Sequence, residues 1–490
     1  MPHPSGLAWP PKKPAQAEDR GYDSLGLKPH AIRLNGEGVV TSNLAVQEQV
    51  ERIPAGISFA PDAEPSPRPL AGSAAGGSPR RVVITGLGVV SSLGLGAERF
   101  WRALKAGETN IDRLSLFDPS PFACQIAGEV RDFRAVDWIE AKEARRMARF
   151  TQFAVAAARM ALGDASLTID PSNAHRVGVY LGTGIGSLGI IPDEHDVLLQ
   201  KGPDRVSPFF IPAMMPNMAA AQVSRIFGLK GYNSTTVTAC AASTQAIGEG
   251  LEAIRRGAAE VMLAGGADAS ICPLGLAGFC AIRALSTRND DPKHASRPFD
   301  VQRDGFVPAE GAAILVIEEL GHALARGARI YAELVGFAAT ADAYHIVAPE
   351  PEGEGAVRAM RKALENAGVR PEEVDYINAH GTSTPLNDAT ETKAIKRVFG
   401  EDAYRIPISS TKSMVGHLLG ASGSLESVAT VLTLFEGFVH PTINLEEPDP
   451  ECDLDYVPHV GRWADVRVAL KNSFGFGGQN ACLVYKKYAR

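Results

Sequence analysis

The chain has 490 residues, 45% of them hydrophobic, with a formal net charge of −7. That is enough apolar material for a large core, and the acidic balance argues against a nucleic-acid partner. No apolar run reaches membrane-spanning length, and the start shows no charged segment followed by an apolar one, so a membrane span and a secretory signal are not expected.

The first eighty residues carry 12 of the 33 prolines and small-residue runs such as Ala71–Gly77. Such a stretch buries too little apolar surface to offset its ordering entropy, which predicts a mostly disordered extension over 1–80. Ser42–Arg52 is the one short helix expected in it. Glu18, Asp19, Asp23 and Glu37 fit poorly with an organelle transit peptide, which avoids acids. A buried strand then begins abruptly at Arg81 and runs to Val90 through a glycine turn. The helix expected at Thr151–Ala161 is followed by a strand at Val177–Leu181. The glycines of Leu181–Gly186 lack the spacing of a dinucleotide-binding turn. Ser234–Thr238 reads as a strand and Ala241–Gly257 as a helix, with Arg255 and Arg256 at its negative end. Strands follow at Val261–Ala264 and Ala313–Ile317. A second set starts with the strand Arg329–Gly336, continues through a helix at Ala356–Asn366 and ends on a strand at Ala481–Tyr485. Two successive sets of strands and helices predict a layered α/β structure with buried sheets.

Six cysteines (Cys124, Cys240, Cys272, Cys280, Cys452 and Cys482) form no CxxC pair and no metal-ligand spacing, as expected of a reduced, cytoplasmic chain. Cys240 stands apart. It falls at the turn between the 234–238 strand and the 241–257 helix, where free N–H groups and the helix dipole favour thiolate and can hold a developing oxyanion. A structural role in the core is the commoner fate of a free cysteine. Two histidines, His380 in Asn378-Ala379-His380-Gly381-Thr382-Ser383-Thr384 and His417 in Lys412-Ser413-Met414-Val415-Gly416-His417, each sit beside a glycine in a turn-like stretch. The pattern is that of a thiol nucleophile served by imidazoles from distant loops.

Residues 81–490 resemble the β-ketoacyl-[acyl-carrier-protein] synthases, closest to the type II elongating enzyme. The resemblance rests on Thr238-Ala239-Cys240, Ala284–Asn289, Ser296–Asp300, Asn378–Pro385, Ser410–Ser413, Gly416-His417 and Asn472–Gly478, in matching order and spacing. It implies the thiolase-like fold: two similar α/β halves, 81–328 with the cysteine and 329–490 with both histidines, in an α-β-α-β-α arrangement, usually as a homodimer. It implies decarboxylative condensation of a Cys240-bound acyl chain with malonyl-[acyl-carrier protein]. No cofactor is implied, the substrates riding on the phosphopantetheine of acyl carrier protein.

The resemblance also assigns roles. His380 and His417 would hydrogen-bond the malonyl thioester oxygen, and the N–H groups of Cys240 and Phe476 would form the oxyanion hole. Lys412, paired with Glu426, would orient an imidazole. Asp388 and Glu391 would support the His380 loop, although their helical pattern suits exposed helix-face acids equally well. Thr382 and Thr384 would bind the pantetheine arm. Ile185, Phe279 and Ile211 of the partner subunit would line the acyl tunnel, and Phe476 would be the gate between acylation and decarboxylation, with Asp342 and His345 in the facing loop; read alone, His345 is a surface histidine. Some relatives hold a monovalent cation near the positions of Asn378, Glu426 and Asn472. A basic docking face for the acidic carrier protein would include Lys142, Arg145, Arg146, Arg205 and Arg283. Two departures bear on substrate and partner: Asp204 stands where relatives often carry a basic residue, and Gln479 replaces the usual threonine. Cys240 argues against a noncatalytic partner subunit, the histidine pair against a thiolase or a Cys-His hydrolase.

Overall fold

The computed structural model describes residues 80–489. The expected extension, with its helix at Ser42–Arg52, lies outside the described residues. Ten strands form the path of the main sheet: β1 (Val82–Ser91), β2 (Val177–Gly182), β3 (Asn233–Thr236), β4 (Val261–Asp268), β5 (Gly311–Glu319), β6 (Ala332–Ala341), β7 (Tyr376–Asn378), β8 (Ile408–Ser409), β9 (Val468–Gly475) and β10 (Gln479–Lys486). Their order is β8-β7-β9-β10-β6-β1-β5-β4-β2-β3, with a short strand at Gly94–Leu95 folded back on β1.

The two sides of this path repeat one design. From β1 outward through β5, β4, β2 and β3 the pairings run antiparallel, antiparallel, parallel, parallel. From β6 outward through β10, β9, β7 and β8 they run in the same sequence. The sides join where Val82–Ile84 pairs with Ala332–Leu334. The expected pair of sheets is therefore hydrogen-bonded into one path at that edge.

Five helices set the layers. The helix α1 (Arg149–Asp164) covers β1, β4 and β5, and α3 (Glu354–Ala367) covers β6, β9 and β10. Between the two half-sheets lie α2 (Ala242–Arg255) and α5 (Ser422–Glu436), each packed on strands of both halves and on the other. A fifth, α4 (Pro385–Phe399), lies against α3. This is the α-β-α-β-α arrangement. The predicted elements recur with shifted ends, because helix and strand termini are set by caps and bulges rather than by periodicity.

Helix α5 shows what a central layer demands. Ser422 to Leu434 are all buried. The hydroxyls of Ser424, Ser427 and Thr430 donate back to carbonyls of their own chain at 3.0, 2.7 and 2.8 Å, so these three are satisfied without water. Close approach needs glycine. A Cβ on Gly423 would lie 2.1 Å from Thr244 Oγ1 of α2, and one on Gly248 would lie 2.1 Å from the Phe337 ring of β6.

Candidate active site

Cys240 lies in a single tight turn, Ala239–Ala241, between β3 and α2. The preceding Ala239 takes a φ of 48°, a left-handed conformation unusual for alanine that aims the next side chain out of the strand direction. Cys240 lines a cavity of about 600 Å³ together with His380 and His417. The Cys240 Sγ and one ring nitrogen of each histidine fall within 4.8 Å of one another. Residues far apart in the chain thus meet at one point, as the sequence led us to expect.

The His380 loop leaves β7 and is held by two carboxylates of α4. Glu391 accepts the backbone N–H groups of His380 and Gly381 at 2.9 and 2.8 Å. Asp388 accepts those of Thr382, Ser383 and Phe299 at 3.0, 3.1 and 2.9 Å. Both acids are buried, so they are loop-fixing groups and not the solvated helix-face acids that the pattern also allowed. Burial raises both carboxyls above their usual range, against these donors.

The two imidazoles are set in the same tautomer. Lys412 Nζ lies 3.3 Å from His380 Nδ1 and donates to the His380 carbonyl at 2.6 Å. The Leu419 N–H donates to His417 Nδ1 at 3.1 Å, with the Ser422 hydroxyl 2.8 Å from the same nitrogen. Donors at Nδ1 leave the ring proton on Nε2 of each. The rings stand 5.6 Å apart and nearly perpendicular. Burial holds both well below the usual imidazole range, and the Lys412 charge pushes the same way. The site therefore presents two neutral N–H donors.

The thiol is a correction to the expected thiolate. Burial pushes Cys240 up to about 11, although the Lys412 charge and the Phe476 N–H oppose it. Desolvation of the charged form outweighs both of these. A Cβ on Gly475 would lie 3.1 Å from Cys240 N, so glycine there leaves that N–H approachable beside Phe476.

The cavity lining also includes Phe476, Thr382, Thr384, Ile185, Phe279, Arg283, Asp342 and His345. The Thr382 and Thr384 hydroxyls are 2.8 Å apart, and Thr384 caps α4. Phe279 packs edge-on against Phe306, which packs edge-on against His417. The Phe476 loop is tied to the facing one by Gly477 N–H to the Ile346 carbonyl at 2.8 Å and by Asp342 N–H to the Gly478 carbonyl at 2.9 Å. His345 is exposed as well as lining the mouth, and its Nδ1 accepts from the N–H groups of Val347 and Ala348. Ile211 lies outside this lining, exposed on the helix Phe210–Met214. Lys142, Arg145, Asp204 and Arg205 are exposed and Arg146 is half-buried with its guanidinium over the Phe209 ring, all outside the cavity lining. Gln479 opens β10 opposite Ala341.

The beta-ketoacyl synthase N-terminal domain family matches residues 79–323, and the beta-ketoacyl synthase C-terminal domain family matches residues 331–446. The chain belongs to the β-ketoacyl synthase family. It is thereby a condensing enzyme of the acyltransferase class. This β-ketoacyl synthase is 56% identical over 409 residues to a 3-oxoacyl-[acyl-carrier-protein] synthase 2 of Synechocystis sp., covering 84% of this chain and 98% of that protein. Among solved structures it is similar to the ishigamide ketosynthase/chain length factor, at 40% identity and a TM-score of 0.79 over 84% of this chain and 100% of that one. It is similar also to a type II polyketide-synthase complex of an acyl-carrier protein with its ketosynthase, at 39% identity and a TM-score of 0.77 with the same coverage.

Two groups escaped the reading of the sequence. Asp268, at the end of β4, accepts the N–H groups of Gly184 and Gly420 at 2.7 and 3.1 Å and the Ser270 hydroxyl at 2.5 Å. It thus ties the Ile185 turn to the segment after His417, and burial raises its carboxyl to about 6. Lys471, inside β9, is fully buried beside Glu426. A charged residue ending or interrupting an apolar strand was the available signal for both.

Proposed function

We propose that this β-ketoacyl synthase elongates acyl chains on acyl carrier protein in fatty-acid synthesis, by decarboxylative condensation with a malonyl thioester. The observation that carries the reading is the pair of Nε2–H imidazoles facing one cavity beside a cysteine. A hydrolase needs one base and its orienting partner, whereas an enolate oxygen needs donors.

Cys240 Sγ attacks the acyl thioester, the bond to pantetheine sulfur breaks, and the departing sulfur leaves as a thiol with the proton that Cys240 gives up. The malonyl thioester then enters along Thr382 and Thr384. Its carboxyl–carbon bond breaks, carbon dioxide leaves, and the electron pair passes into an enolate whose oxygen is held by Nε2–H of His380 and His417. That carbon attacks the acyl carbonyl on Cys240. The transient oxyanion lies against the N–H groups of Cys240 and Phe476, and Cys240 sulfur leaves. The product is a β-ketoacyl thioester two carbons longer.

Several further assignments belong to this reading. Residues 81–328 and 329–490 act as two halves following the 1–80 extension. Ile185 and Phe279 line the acyl path, completed by Ile211 of the partner subunit in a homodimer, and Phe476 is the gate between acylation and decarboxylation. Lys142, Arg145, Arg146, Arg205 and Arg283 receive the carrier protein. No helix among the described residues is long and apolar enough to cross a membrane, and the enzyme is assigned to the cytoplasm. A polyketide-type role is the second reading, favoured by the structural likeness to a type II polyketide-synthase ketosynthase; the higher identity to a 3-oxoacyl synthase places it second.

The deciding experiment incubates the protein with acyl- and malonyl-carrier protein and weighs the carrier-bound product. A single two-carbon β-keto extension with release of carbon dioxide is expected. Free acid without carbon dioxide would replace the reading by a hydrolase, and a ladder of repeated β-keto extensions by the polyketide role.

A further inference from the structure

Lys471 is a lysine with no access to solvent, and nothing in the reaction above uses it. Its ammonium is surrounded by oxygens: the Asn472 carbonyl at 2.7 Å, Thr244 Oγ1 at 3.2 Å, the Ser473 hydroxyl, and Glu426 Oε2 at 2.7 Å. Thr244 is one turn beyond Cys240 on α2, Glu426 is on α5, and Asn472 and Ser473 lead into the Phe476 loop. Glu426 in turn pairs through its other oxygen with Lys412, which fixes His380. One buried charge therefore touches the three elements that carry the nucleophile, the imidazole support and the gate.

Some relatives hold a monovalent cation near the positions of Asn378, Glu426 and Asn472. These residues do not fit one here. Lys471 engages both Glu426 and the Asn472 carbonyl. The Asn472 side chain is committed to Glu391 at 3.2 Å and to Cys482 at 3.2 Å. Asn378 Oδ1 and Glu426 Oε2 are both buried without a hydrogen bond, but Glu426 Oε2 already lies 2.7 Å from the Lys471 ammonium, which leaves Asn378 Oδ1 as the oxygen away from a cation. A metal ion drawn to it would be a third positive charge on one carboxylate, next to Lys412 and Lys471, in a dry interior where like charges repel strongly.

We propose that the Lys471 ammonium is a built-in cation that takes the place of a monovalent metal ion and positions α2, α5 and the Phe476 loop, making this enzyme independent of potassium and sodium. The claim rests on the proposed roles of Lys412 and His380 only for its effect on rate. The oxygen shell itself is independent of them.

The test compares activity and melting temperature of the full-length enzyme in potassium, sodium and tetramethylammonium chloride at fixed ionic strength. Tetramethylammonium is too large for the shell. The wild type is expected to show the same rate and the same melting temperature in all three. Lys471→Ala empties the shell, and is expected to lose roughly 10–100-fold in rate, as do other groups that orient a site from behind. Potassium or sodium, but not tetramethylammonium, should restore part of that rate and raise the variant's melting temperature by binding the folded state. Lys471→Met fills the space without charge or room for an ion, and should lose rate without rescue. The idea is overturned by a wild type that needs potassium or sodium, by Lys471→Met at full activity, or by Lys471→Ala that no cation rescues or stabilises. The melting-temperature arm reads the cation directly, so it separates failure of this inference from failure of the proposed reaction. Should Lys471→Ala not fold, the wild-type and Lys471→Met arms still decide.

Discussion

The Leu419 N–H points at Nδ1 of His417 from 3.1 Å, and Leu419 takes a left-handed φ of 49° to place it there. Backbone strain at a non-glycine residue is thus used to fix a tautomer, the task that the Lys412 ammonium performs for His380. If both Nε2 protons are donated to the enolate oxygen, losing either ring removes a bond made in the transition state, worth roughly 10²–10³ in rate. His380→Ala and His417→Ala should each lose that much carbon dioxide release from malonyl-carrier protein, with acyl transfer to Cys240 hurt less. Unchanged release in either variant would make that histidine structural.

The same imidazoles predict a pH profile. Both are held well below the ordinary 6.5 by burial, so the neutral donors persist as pH falls through that value. Decarboxylation should stay level from about pH 8 to about pH 6, where an unperturbed histidine would already be mostly protonated. A midpoint near 6.5 in stopped-flow carbon dioxide release would contradict the buried, neutral pair.

Asp268 yields a stability prediction of defined sign. Its carboxyl is raised from 3.8 to about 6, so the folded state holds a proton that the unfolded chain gives up. Its contribution is present in full below about pH 4 and is lost as pH rises through about 6, a difference of about 3 kcal/mol at ~1.4 kcal/mol per unit. Asp268→Asn keeps an acceptor for Gly184 and Gly420 and can donate to Ser270. Relative to wild type, that variant should gain stability between pH 4 and 7 in urea unfolding. Parallel curves for the two proteins would show that the carboxyl is not buried as described.

Helices α2 and α5 meet at Gly423 without slack. A Cβ there would fall 2.1 Å from Thr244 Oγ1 and 2.8 Å from Thr244 N, and the backbone atom cannot turn away. Gly423→Ala should destabilise by about 1–3 kcal/mol, the usual cost of overpacking. It should also lower kcat by moving the Cys240 helix away from the segment after His417. Denaturant midpoints and condensation rates read the two effects, and a variant as stable as wild type would mean that the interface yields.

For the carrier-protein face, Lys142, Arg145 and Arg146 are the test residues. Replacing all three by Glu should raise KM for acyl-carrier protein and leave KM for small pantetheine thioesters nearly unchanged. The wild-type advantage for the carrier protein should also shrink with added salt, because exposed charges are screened. An equal loss on both substrates would mean that the segment supports the fold.

Much of the site was legible because its motifs pair a reactive side chain with a turn. Cys240 follows a strand of small and β-branched residues, and His380 and His417 each adjoin a glycine. Repeating strand and helix signals gave the layered class. What stayed hidden depended on burial, which no local pattern reports. Asp388 and Glu391 sit on a helix whose periodicity suits solvent as well as a loop, and only the packing of α4 under the His380 loop decides between them. The state of Cys240 was misjudged for the same reason: the helix start was visible, but the desolvation that raises the thiol was not. Lys471 left one sign, a lysine amid Val468, Ala469 and Leu470, and its partners come from two helices far away in the chain.

Cys240 enters the cavity from the first run of strands, and both imidazoles enter from the second, the two runs meeting where Val82–Ile84 pairs with Ala332–Leu334. On the ribosome the nucleophile is therefore made well before either imidazole. A nascent chain that has folded only its first part holds a thiol with no donors to strip carbon dioxide from a malonyl unit. On the proposed roles, release of carbon dioxide from a malonyl unit therefore needs both runs of strands in one folded chain.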